Sequence, residues 1–125
     1  MTDINTFFEL LVEVCNELPD EFYKELHRGV IVSERTESAP ICDELTVLGQ
    51  YHRSYFGNQI TIYYGSFMKL YPHVSEEFLK EKLREVVRHE FRHHLENLAG
   101  IYGKRSLGYE DDEMIRRYLR QRIDN

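Results

Sequence analysis

Tryptophan is absent from the 125 residues, cysteine occurs twice and proline three times. No apolar run approaches the roughly 20 residues of a bilayer span, so no transmembrane helix is expected. Cys15 and Cys42 lack Cys-x-x-Cys spacing and read as reduced packing thiols rather than a disulfide. The stretch Met1-Thr2-Asp3-Ile4-Asn5 is acidic where a signal peptide is basic, and a cytoplasmic location is the expectation. Positive charge is also scarce: 16 basic against 22 acidic residues give a net charge of −6. With no basic run and no interleaving of basic and aromatic residues, a nucleic-acid partner is not expected. Nine Tyr and seven Phe supply the aromatic mass. The length predicts one domain, residues 1–125, with a core that needs no staples.

The hydrophobic pattern divides the chain into alternating helical and extended pieces. Thr2 or Asp3 caps a helix carrying Phe7, Leu10, Leu11, Val14 and Leu18 at helical spacing. Pro19-Asp20-Glu21 starts a second, short helix through Phe22 and Leu26 that closes at Gly29. Val30-Ile31-Val32 is a β-branched strand, and residues 34–43 form a polar loop. Leu45 to Tyr51 reads as one strand, Phe56-Gly57-Asn58-Gln59 as a turn, and Ile60 to Tyr64 as a third strand. Ser66 to Tyr71 holds one or two helical turns. Ser75, followed by two acids, caps a long helix that stops at Gly100. After a loop, Asp111-Asp112-Glu113 starts a last helix through Ile115, Tyr118, Leu119 and Ile123. The expected fold is α+β, with about three strands packed on the long helix and flanking helices.

That long helix contains His89-Glu90-Phe91-Arg92-His93, a His-Glu-x-x-His pattern. Residues four apart lie one turn apart, so His89 and His93 present imidazole nitrogens to one ion. Glu90, about 100° round the helix, stands beside the ion and is placed to move protons. The bland alternative is an amphipathic helix with surface histidines. Against it, Leu79, Leu83, Val86, Val87, Phe91, Leu95 and Leu98 fill one arc, the histidine pair sits on its border, and Glu90 falls inside it. A carboxylate on a core-facing stripe is costly unless paired or put to use. His94, near Leu83 on the apolar side, reads as a hydrogen-bonded packing histidine. Arg92 and Glu96 read as a solvated ion pair.

The order of elements and the motif resemble the minimal zincin-like metallopeptidases of bacteria, whose fold is a reduced matrix-metalloprotease-like one. The likeness spans roughly residues 45–119, from Leu45–Tyr51 through Ile60–Tyr64 to Arg88-His89-Glu90-Phe91-Arg92-His93-His94. It implies that the strand before the motif helix lines a cleft, so that Ile60 to Tyr64 pairs with an extended peptide. It also implies a third metal ligand, an Asp shortly after a Gly. Here those positions hold Ala99 and Glu96, and the helix runs on to Gly100. The nearest match to the following helix start is Asp112-Glu113-Met114-Ile115, which makes Asp112 the first choice, with Asp111 and Glu113 as alternatives. Plain helix capping by Asp111 accounts for the same acids. Tyr102 and Tyr109 are candidates for oxyanion stabilisation or simple packing.

The expected function is a zinc-dependent, peptidase-like hydrolase acting on a peptide or protein. In it Zn2+ is held by His89, His93 and Asp112, and a metal-bound water attacks the peptide bond with Glu90 as general base. Imidazole ligands with one carboxylate favour zinc over other divalent ions. The alternative is a non-catalytic, metal-stabilised module that binds a peptide or protein segment.

Overall fold

The computed structural model describes residues 1–100. Helix α1, Ile4–Asn16, is capped by Asp3, whose Oδ1 accepts from the Thr6 amide at 2.8 Å. A 3-10 turn at Asp20–Tyr23 leads to β1, Val30–Ser33. Then come β2, Glu37–Ala39; β3, Cys42–Val47; β4, Gly49–Ser54; and β5, Gly57–Tyr63. Helices α2, Tyr64–Leu70, and α3, Glu76–Leu98, complete the described order. Helices and a small mixed sheet make this an α+β fold. Among the described residues no helix is long and apolar enough to cross a membrane.

The sheet has the order β1-β5-β4, with β5 parallel to β1 and antiparallel to β4. Its inner face carries Ile60 and Ile62. These pack on Phe7, Leu11 and Val14 of α1 and on Leu79, Leu83, Val87 and Phe91 of α3. Those α3 residues come from the apolar arc legible in the sequence. Both ends of α3 also follow local chemistry: Ser75 Oγ accepts from the Phe78 amide at 3.1 Å, and Gly100 takes φ 71° just past the end.

Four expectations are corrected by tertiary context. The second helix is a single 3-10 turn, because Glu25 takes φ 59° and turns the chain instead of extending the helix. The segment expected to loop contains β2, which forms a two-stranded sheet with β3. The strand read as Leu45 to Tyr51 is two strands that break at Leu48, where the chain passes from that hairpin into the main sheet. Finally, Ile60 to Tyr63 of β5 are paired with β1 on one side, and Ile60 to Ile62 with β4 on the other. A strand hydrogen-bonded along both edges has no free ladder with which to bind a peptide.

Candidate metal centre and cleft

Helix α3 carries the histidine motif in its C-terminal half. His89 and His93 stand one turn apart, their ring centroids 5.0 Å from each other and their planes at 79°. One donor atom each from His89, Glu90 and His93 lies within 4.8 Å of the others. His93 Nε2 and Glu90 Oε1 are 4.0 Å apart. Zinc bonds imidazole nitrogen at about 2.0–2.1 Å, and modest side-chain rotation brings two such nitrogens onto one ion. The donor set fits a divalent metal. Both histidines are partly accessible, whereas Glu90 is only 6% exposed, as its place on the apolar arc predicted.

The buried position of Glu90 comes from the strand above it. Gly49, the first residue of β4, sits so close to α3 that a Cβ there would lie 2.8 Å from Val86 Cγ1, 3.1 Å from Ile62 Cδ1 and 3.4 Å from Glu90 Cγ. Glycine is needed here for space and not for an unusual backbone angle. Beside this contact opens a cleft of about 470 Å³. Ala39, Leu45, Thr46, Val47, Leu48 and Gly49 form one wall, and Glu85, Val86, His89 and Glu90 form the other. His89 and Glu90 of the motif therefore border an apolar cleft that the β2–β3 hairpin and the start of β4 also line.

Further along α3, a polar network anchors the helix to the sheet. His94 is fully buried, with Nδ1 2.7 Å from the Tyr51 hydroxyl and Nε2 2.7 Å from the Lys24 carbonyl. A carbonyl only accepts, so Nε2 carries the proton and Nδ1 accepts from Tyr51. Tyr51 in turn accepts from Asn97 Nδ2 at 3.1 Å, and Asn97 Oδ1 accepts from Arg53 at 2.9 Å. His94 is thus the hydrogen-bonded packing histidine expected. Arg92 and Glu96 form the expected ion pair at 3.3 Å. Nearby, burial and the charges of Glu37 and Glu90 hold the Tyr63 hydroxyl above the usual phenol range, against the opposing effect of Arg35. That hydroxyl donates to Gln50 Oε1 at 2.7 Å.

Asp112, Asp111 and Glu113, the candidates for a third ligand, lie outside the described residues, as do Tyr102 and Tyr109. Cys15 and Cys42 are free thiols, and burial pushes that of Cys15 up. Sequence reasoning missed Gly49, Tyr51 and the hairpin wall. Gly49 had a legible signal, a glycine inside a strand pattern, between Leu48 and Gln50, with no turn to serve. The wall had none, since it depends on where β2 and β3 settle.

A sheet packed on a long helix that bears His-Glu-x-x-His beside a cleft is the architecture of a zincin. A family model described as zincin-like metallopeptidase matches residues 26–120. The chain belongs to that family. Among solved structures it is similar to a conserved hypothetical protein from Thermo thermophilus, with 33% identity and a TM-score of 0.65. The alignment covers 78% of this chain and 98% of that one. No curated protein matches the chain.

Proposed function

We propose that this protein is a zinc-dependent peptidase in which His89 and His93 hold the ion and Glu90 is the general base. The observation that carries this reading is the convergence of the three donor atoms within 4.8 Å at the edge of the apolar cleft. Asp112 is proposed as the third protein ligand, with Asp111 and Glu113 as the alternatives. When bound, the ion supplies Lewis acidity and makes water acidic enough to ionise near neutral pH. Neutral imidazoles of His89 and His93 are the ligands suited to this ion. The Glu90 carboxylate accepts the proton of the attacking water and delivers it to the departing amine. The apolar side chains of Leu48 and Val86 lower the polarity beside that transfer, which strengthens the electrostatics within the site.

The test is metal content and peptide-library cleavage of the parent beside Glu90→Gln, His93→Ala and Asp112→Ala. About one zinc per chain is expected in the parent, with cleavage. Glu90→Gln keeps the zinc and loses hydrolysis, while His93→Ala and Asp112→Ala lose the zinc. Cleavage by Glu90→Gln at the parent's rate would overturn the role of Glu90. Zinc kept by Asp112→Ala would move the third ligand to Asp111 or Glu113. Zinc binding with no cleavage by the parent would leave a metal-stabilised binding module.

A further inference from the structure

We infer that the β2–β3 hairpin makes the cleft a subsite for a neutral, apolar side chain of a peptide and excludes acidic ones. The inference rests on the peptidase reading and names the class of substrate. The cleft opens directly beside His89 and Glu90, so a side chain held there belongs to a residue flanking the reacting bond.

Ala39, Leu45 and Val47 from the hairpin line the cleft together with Leu48 and with Val86 of α3. The volume of about 470 Å³ lies inside the range of roughly 300–1,000 Å³ typical of ligand sites. Outside the motif, the one charged side chain in the lining is Glu85, which is paired with Lys82 at 3.3 Å. An incoming carboxylate would lose hydration in an apolar pocket and meet both Glu85 and Glu90. An aliphatic or aromatic side chain exchanges water for carbon contacts at no electrostatic cost.

The wall is built rather than accidental. The segment leading into β2 lies against Gly65, where a Cβ would come within 2.6 Å of the Glu34 carbonyl oxygen and the Arg35 carbonyl carbon. The Glu37 amide donates to Ser66 Oγ at 2.9 Å, and Arg35 pairs with Glu37 at 3.3 Å. The hairpin is thereby fastened to the N-terminal turn of α2 and holds Leu45 and Val47 over the motif.

The experiment uses the full chain with Glu90→Gln, so that binding is read without turnover. Two decapeptide pools, alike in their randomised positions, carry Leu or Asp at one fixed central position. Binding is measured by fluorescence anisotropy on zinc-loaded and on metal-free protein. The Leu pool is expected to bind roughly ten- to a hundredfold more tightly, with the preference kept without metal because the walls are protein. Val47→Lys, or Leu45→Lys should the first variant lose its circular dichroism signal, is expected to erase or invert the preference. Equal binding of the two pools, no binding of either, or a preference that survives the lysine would overturn the inference. Failure of the peptidase reading shows separately, as absence of zinc from a protein that still discriminates between the pools.

Discussion

Replacing Tyr51 by Phe removes a single oxygen from the network that ties β4 to α3. The hydroxyl donates to His94 Nδ1 at 2.7 Å and accepts from Asn97 at 3.1 Å. His94 is 0% exposed, so water has no route to replace the lost donor. Its other nitrogen is committed to the Lys24 carbonyl, which prevents the ring from switching tautomer to compensate. Leaving a buried acceptor unsatisfied costs about 1–3 kcal/mol. The ring itself is retained, so no cavity contributes. For a chain of this length a loss of about 2 kcal/mol lowers Tm by roughly 6–10 °C. Urea denaturation followed by circular dichroism is the assay, with the midpoint expected to fall at constant slope. A midpoint within error of the parent's would refute the network as a source of stability. His94→Phe should cost at least as much, since it also strands the Lys24 carbonyl.

Gly49→Ala places a methyl 2.8 Å from Val86 Cγ1 and is expected to cost about 1–3 kcal/mol by overpacking. On the peptidase reading it also displaces Glu90, so turnover should fall by more than tenfold while zinc content holds; unchanged turnover would contradict this. Ser75→Ala removes the acceptor for the Phe78 amide and should cost about 1 kcal/mol in the same denaturation assay. Hydrogen bonds from Arg84, both at 2.7 Å, hold the Glu17 carboxyl below the usual carboxylate range. A depressed acid stabilises the fold above its ordinary titration range, and that contribution disappears as pH falls through its folded value. Glu17→Gln should therefore flatten the acid limb of the stability curve, and a limb of unchanged slope would show that the pair contributes nothing.

Both long helices were legible because their signals are local. Asp3 and Ser75 carry the side-chain oxygens that cap α1 and α3, and Gly100 stands where α3 ends. The period of Leu79, Leu83, Val87 and Phe91 marks a buried face whatever that face meets. The same period placed Glu90 among apolar residues and His94 in the core, and the motif spacing set His89 one turn from His93. These are properties of a helix, and a helix is specified by residues three and four apart.

What packs on that helix was decided at long range. Glu-Ser-Ala has little strand propensity, and β2 exists because it pairs with β3, with an irregularity between Ser38 and Ala39. The 20–29 stretch read as a helix stops after one turn, and its Lys24 carbonyl is the acceptor for His94. β5 gains a neighbour 30 positions earlier in the chain, Val30 opposite Ile60, which closes the edge that the resemblance would have offered to a peptide. Gly49 gains its meaning only when β4 descends onto Val86 and Glu90. By itself, then, the sequence determined the two long helices, α1 and α3, and the spacing of the donor atoms, because backbone geometry imposes them locally. The cleft, its apolar wall and the buried anchors came only with the tertiary structure, because they join residues that pair and pack across tens of positions.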